Sequence, residues 1–291
     1  MTGSGFDAVT ELVQRLAVLT AAGIPALPAW RYVDAGIASE VESARDLAER
    51  IAREGESRPA QRSAWQTLSC VWGVATESGA PLAPTLERTA EMLRALAQSA
   101  RDVETALAGP RATSRIVMAL PAIAMLLGAL LGFDLPAAFA TPAGLVCVVA
   151  AGILNVVAAR WNRRLLGWAR EADATPGLGF ELHAIALAGG TSVRRAATIV
   201  AGASGSAGLT LHDDVAEVLE FAAAAGVPVV ALLRAEADER RRSVRAAAAA
   251  RAARLESRLL LPLGLCVLPA FVLAGVVPIA IAILSSTAGA L

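Results

Sequence analysis

Three long stretches without one charged side chain, each bordered by arginines, constrain this chain of 291 residues more than any other feature. The first lies between Arg115 and Asp134, with Ile116–Gly132 (IVMALPAIAMLLGALLG) as its apolar body. The second lies between Asp134 and Arg160, centred on Ala137–Ala159, and the third runs from Leu259 onward, most apolar over Leu259–Leu284. A helix crossing the hydrocarbon layer needs about 20 apolar residues, roughly 17–25. All three runs meet that length. The expected fold class is therefore an all-α integral membrane protein with three transmembrane helices and two helical-bundle cytoplasmic domains.

The arginines orient the spans. Arg94, Arg101, Arg111 and Arg115 precede the first, and Arg160, Arg163, Arg164 and Arg170 follow the second. Arg240, Arg241, Arg242, Arg245, Arg251, Arg254 and Arg258 precede the third. The connector Phe133–Pro142 holds one aspartate and no base, and the terminal SSTAGAL has no charged side chain. Basic residues stay on the cytoplasmic side. The expected order is thus a cytoplasmic domain over 1–115, a transmembrane hairpin over 116–159, a second cytoplasmic domain over 160–258, a third span over 259–284 and a short external tail over 285–291. Of these arginines, Arg111, Arg115, Arg160, Arg163, Arg164, Arg254 and Arg258 are the membrane-proximal basic topology residues. The arginines of the helix after Pro228 read as a solvated face carrying the topology signal, or as a basic surface for acidic lipid headgroups or an acidic partner face. Trp161 and Trp168 sit where interfacial aromatics anchor helices. The amino terminus carries Asp7 and Glu11 and no basic n-region, so no cleavable signal peptide is expected.

Pro121, Pro136, Pro142, Pro262, Pro269 and Pro278 lie in or beside the apolar runs, where neighbouring helices can satisfy the freed carbonyls. Gly128 and Gly132 form one G-x-x-x-G, which permits close helix approach. No span contains Asp, Glu, Arg or His, which proton relays and ion pathways normally need. A coupled transporter is disfavoured.

Composition removes several chemistries. The 26 basic residues are all arginine. Without lysine there is no ordinary P-loop, no Schiff-base catalysis and no Ser-x-x-Lys acyl transfer. With only His183 and His212, an H-E-x-x-H zinc motif is impossible. His212-Asp213-Asp214 is expected to mark a helix start, acids being favourable there. Gly202–Gly208 (GASGSAG) is expected as a loop; it follows no strand, as a dinucleotide-binding turn would require. Cys70, Cys147 and Cys266 are too far apart for a C-x-x-C site and are expected as buried small hydrophobes. The arginines are not interleaved with aromatics, so nucleic acid is not an expected partner. No catalytic, cofactor-binding or metal-binding residue is expected, and no cofactor.

The segments outside the apolar runs carry helical patterns. Leu12, Leu16 and Leu19 recur at helical spacing before Gly23-Ile24-Pro25, a helix stop followed by a helix start. A second such turn is Gly79-Ala80-Pro81, followed by the stripe Leu82, Leu86, Ala90, Leu93, Ala97 and Ala100. Arg53–Ala64 (REGESRPAQRSA) is expected as a loop. In the middle segment, Leu182–Val200 is expected as two helices joined at Gly189-Gly190-Thr191-Ser192. A third turn follows at Gly226-Val227-Pro228. An offset of 147 residues lays Gly79 on Gly226, Pro81 on Pro228 and Leu86 on Leu233, which suggests duplication. From Pro228 to Leu261 a helix of roughly 45–50 Å is expected at 1.5 Å per residue, with Glu236–Arg240 and Asp238–Arg242 as i,i+4 pairs.

Taken together, the Ala21-Ala22-Gly23-Ile24-Pro25 turn, the run Glu77-Ser78-Gly79-Ala80-Pro81-Leu82 with Leu86–Arg94 after it, the Gly226-Val227-Pro228 turn and the apolar Leu260–Leu273 stretch resemble the type II secretion F-domain family. That family comprises the inner-membrane platform proteins of type II secretion, type IV pili and tight-adherence (Tad) pili. The resemblance implies two F-type helical domains and a non-enzymatic platform in the bacterial cytoplasmic membrane. Its implied partners are a secretion ATPase, pilins or pseudopilins and a paralogous platform protein, in a homo- or hetero-oligomer. It supplies no catalytic residue. Of a different class is the membrane subunit of a transporter or exporter, which charge within the spans, or more spans, would have favoured.

Overall fold

The computed structural model describes residues 3–39, 41–59, 61–130, 141–170, 175–277 and 280. Gly132, Pro136, Pro278, most of the Phe133–Pro142 connector and the tail over 285–291 lie outside the described residues. Among the described residues every regular element is helical. In chain order these are α1 (Gly3–Ala21), α2 (Ala26–Val33), α3 (Ala35–Ala38), α4 (Ala44–Ser57), α5 (Arg62–Ser78) and α6 (Leu82–Leu130). Then come α7 (Pro142–Arg170), α8 (Leu178–Ala188), α9 (Val193–Ser206), α10 (Val215–Ala225) and α11 (Val229–Pro262). The last is continued by a π-helical turn (Leu263–Val267), α12 (Leu268–Phe271) and a second π-helical turn (Val272–Val276).

The chain divides into two compact units. One joins Met1–Asp102 to Asp173–Ala247, and the other joins Val103–Ala172 to Ala248–Leu291. The N-terminal and middle segments, expected as two bundles, thus contribute to one unit. The reason is α5, which is buried around most of its circumference, with Thr67, Ser69 and Ser78 among the buried residues beside its apolar ones. On one side Trp65, Leu68 and Trp72 pack with Leu16, Trp30, Leu47 and Ile51. Trp30 and Trp72 meet edge to face with ring centroids 5.7 Å apart. On the other side Cys70, Val71, Val74 and Ala75 pack with Leu178, Leu182, Ile185, Ile199 and Val200. Hydrogen bonds fix both faces: Ser69 Oγ donates to Ala48 O at 2.7 Å, and Gln66 Nε2 donates to Ala207 O at 2.8 Å. Burial pushes the Cys70 thiol up to about 12, so it serves as a small packing group.

Several local expectations are corrected by this packing. Most of Arg53–Ala64 is helical, leaving only the stretch between Ser57 and Arg62 as a connector. Gly55 lets α4 lie against α5, since a Cβ there would stand 2.9 Å from Trp65 Cβ. The glycine-rich Gly202–Gly208 is helical through Ser206, held by Ala203 and Ala207, which pack in the core on this side of α5, where Cys70 Sγ reaches Ala203 O at 3.5 Å. His212-Asp213-Asp214 precedes α10, but Asp213 caps a different helix: its Oδ2 accepts from Gly179 N of α8 at 2.8 Å. Cys147 is half-buried, unlike Cys70 and Cys266. The pair of helices expected around Gly189-Gly190-Thr191-Ser192 is present as α8 and α9.

In the second unit the end of α6, α7 and the terminal helix meet through small residues. Ala151, Ala270 and Ala274 form one contact cluster, and Ala158, Cys266 and Val267 another. A Cβ on Gly275 would lie 3.2 Å from Ala124 Cβ, so the helices approach closely there. Leu107, Leu255 and Leu259 close a third cluster with Leu165 and Leu166. Among the described residues two helices are long and apolar enough to cross a membrane, Leu82–Leu127 and Gly144–Gly167. Only 12% and 17% of their most apolar windows are buried, unlike the core helices of a soluble protein. The third apolar run is shorter over the described residues, Leu263–Val276. Its first π-turn precedes Pro269, which cannot donate to Leu265 O; widening the helix there offers that carbonyl another donor.

Candidate functional site

The most unusual chemistry in the first unit is a four-membered ion cluster joining α6, α8 and α11. Glu181 stands in the first turn of α8, where the helix dipole favours an acid, and its side chain is 2% exposed. It accepts from Arg88 Nε of α6 at 2.8 Å and from Arg241 Nη2 of α11 at 3.3 Å. Asp238 of α11 accepts from the same two arginines, Arg241 at 2.6 Å and Arg88 at 3.3 Å. Two acids and two guanidiniums cancel in charge, which is what permits Glu181 to be buried and Arg241 largely so.

Protonation responds accordingly. Burial opposes charge on Asp238, but hydrogen bonding and charge from Arg241, with the charge of Arg88, outweigh it and hold the carboxyl below its ordinary value of 3.8. Burial likewise opposes charge on Arg88, yet Glu181 and Asp238 together raise its pKa above the ordinary arginine value. The cluster also corrects the pairs expected along α11. Asp238 turns to Arg241 and Arg88, and Arg242 takes Glu239 at 2.9 Å instead. The cause is the facing helices: Glu181 draws Arg241 inward, and Asp238 follows it.

Sequence reasoning passed over Glu181. Its signal is its isolation, the one acid in Leu178–Ala188, which is apolar apart from it and His183. Packing locks the same region. A Cβ on Gly189 would stand 2.5 Å from Ser78 O, so α8 ends directly on the end of α5.

The three Gly-x-Pro turns share one geometry. Gly23, Gly79 and Gly226 have φ of +85°, +75° and +65°, the left-handed conformation that ends a helix. In each, the following residue donates to the carbonyl five residues back: Ile24 to Leu19, Ala80 to Ala75 and Val227 to Ala222, at 3.1, 3.0 and 3.2 Å. The carbonyls of Pro25, Pro81 and Pro228 then accept from Ala29, Thr85 and Leu232 in the next helix. Leu86 and Leu233, equivalent under the 147-residue offset, are both fully buried.

In the second unit, Arg115, Arg160, Arg163, Arg164, Arg254 and Arg258 are exposed and Arg111 is half-buried. The polar residues Asn155 and Asn162 of α7, also missed from the sequence, face α6. Asn155 Nδ2 donates to Met118 O at 3.4 Å, and Asn162 Nδ2 donates to Ser114 Oγ. Such bonds hold apolar helices together where no hydrophobic driving force separates them from lipid.

Residues 12–129 match the family described as type II secretion system (T2SS), protein F. The match starts in α1, takes in α2 to α5 and ends within the apolar part of α6. No curated protein and no solved structure matches the chain. Over residues 12–129 the chain is thus similar to the type II secretion system protein F family.

Proposed function

We propose that this chain is a non-enzymatic platform of the bacterial cytoplasmic membrane that couples a cytoplasmic secretion ATPase to assembly of a type II secretion, type IV or Tad pilus-like apparatus. The observation that carries this reading is the family match, which ends inside an apolar helix long enough to span a membrane. In this reading 1–115 and 160–258 face the cytoplasm, 116–159 and 259–284 cross the membrane, and 285–291 lies outside. The arginine borders support that orientation. The repeated Gly-x-Pro geometry supports descent of both cytoplasmic segments from one duplicated helical unit.

The ion cluster gives such a platform a mechanical part. Arg88 lies on α6 and Arg241 on α11, the helices whose sequences run on into the first and third apolar runs. Glu181 ties both to α8. A partner that shifts α8 would act on both helices through one buried carboxylate. The partners in this reading are the ATPase, pilins or pseudopilins, a paralogous platform protein or a further copy of the chain, and membrane lipid.

The test is co-purification of the full-length chain from membranes with the hexameric secretion ATPase and pilins encoded beside it. Recovery of both supports the platform. Recovery of neither, with retention of a soluble transport ATPase, favours the exporter subunit instead.

A further inference from the structure

In each unit some arginines have partners and others do not. In the first, Arg15, Arg58, Arg88, Arg101, Arg241, Arg242 and Arg245 all meet carboxylates. In the second, Arg115, Arg160, Arg163 and Arg164 are exposed and make no ion pair among the described residues. Glu104 is the one acid of that unit whose side chain is described.

These four cations are gathered at one level. The hydrogen bond from Asn162 to Ser114 joins the buried neighbours of Arg163 and Arg115 across α7 and α6. Arg160 and Arg164 lie within one turn of Asn162. Just beyond them the surface turns apolar and stays exposed: Ile116 is 66% exposed on α6, and Val156 and Val157 are 57% and 47% exposed on α7. Trp161, 36% exposed, stands at the boundary. A free phosphate would satisfy the guanidiniums and leave the apolar surface bare. A ligand that covers both has a phosphate head and acyl chains.

We propose that the paired ends of α6 and α7 bind anionic phospholipids, with Arg115, Arg160, Arg163 and Arg164 taking headgroup phosphates around the two helices and the exposed Ile116, Val156 and Val157 side chains taking the adjoining acyl chains. Clustered bases beside a span attract anionic lipid additively, and arginine suits phosphate through its paired donors. The inference rests on the membrane half of the proposed function.

The test uses the full-length protein reconstituted in vesicles of equal phosphatidylglycerol and phosphatidylcholine. After extraction, retained lipid is counted by native mass spectrometry. Wild type is expected to retain phosphatidylglycerol by about tenfold over phosphatidylcholine. The quadruple variant Arg115→Gln, Arg160→Gln, Arg163→Gln, Arg164→Gln is expected to fall to less than about twofold, and the corresponding quadruple Arg→Lys variant to keep most of the preference. Circular dichroism and vesicle insertion check that the variants fold. Equal retention of the two lipids by inserted wild type, or an undiminished preference in the glutamine variant, overturns the lipid site alone. Displacement by inorganic phosphate overturns it in favour of a free-phosphate site. A wild-type chain that stays out of vesicles overturns the membrane reading with it.

Discussion

The N-terminal and middle segments of the first unit use similar turns and opposite means of stability. The N-terminal segment buries three tryptophans, Trp30, Trp65 and Trp72, with Leu16, Leu47, Ile51 and Leu68. The middle segment offers Phe180, Leu182, Ile185, Ile199 and Val200, and much of its remaining buried surface is alanine. Aromatic side chains supply far more apolar area than alanine. The first segment holds a core of its own, whereas the second borrows the far face of α5 and pins itself with the Glu181 cluster. A shared turn geometry therefore does not make two equivalent domains; the amount of apolar volume decides which segment leads and which leans.

The largest blow to this asymmetry is Trp72→Ala. It removes a fully buried ring from the first core, with an expected loss of about 3–5 kcal/mol and collapse of both segments together in thermal melts. Glu181→Ala comes next. It leaves Arg88 and Arg241 with Asp238 alone to balance their two charges, for an expected cost of about 3 kcal/mol, read by denaturant unfolding of the full-length protein in detergent. If α8 were held by its apolar face alone, Glu181→Ala would cost under about 1 kcal/mol. Gly189→Ala drives a methyl group onto Ser78 O and is expected to cost about 1–3 kcal/mol; Gly190→Ala beside it strains a residue with φ of +82° but meets no neighbouring atom. The former should loosen α8 from α5, and the latter only the turn.

The smallest effect concerns pH. The folded pKa of Asp238 is depressed, so its contribution is fully present above the ordinary value of 3.8 and is lost as pH falls through the lower folded value. Asp238→Asn should flatten the stability profile in that acidic window and leave neutral pH little changed beyond the lost hydrogen bonds. An unaltered acid profile would show that the carboxylate does not sense Arg241 and Arg88.

Periodicity and punctuation made much of the fold legible. The stripe Leu82, Leu86, Ala90, Leu93, Ala97 and Ala100 faces inward, and all three Gly-x-Pro turns end and start helices. These are local properties, carried by residues close in sequence. The ion cluster was not legible because its members, Arg88, Glu181 and Asp238, are about 90 and 60 residues apart and belong to helices whose facing is decided by the α5 core. The same holds for Asp213, whose nearest helix is α10 but whose donor is in α8. The composition of Gly202–Gly208 pointed to a loop because glycine propensity is weighed without a partner; packing against α5 overrides it. In the second unit, lone polar residues in apolar runs, Asn155 and Asn162, were the signal that charge counting overlooked.

The central claim is that the N-terminal and middle segments form one cooperative body held through α5 and Glu181. Hydrogen exchange of the full-length protein in lipid nanodiscs tests it most directly, by comparing amides of α5 with those of α8 in wild type and Glu181→Gln. The account predicts that wild-type α5 and α8 exchange with the same opening free energy, and that Glu181→Gln speeds α8 by at least tenfold. Protection of α5 with independent, fast exchange of α8 already in the wild type, unchanged by Glu181→Gln, would contradict it.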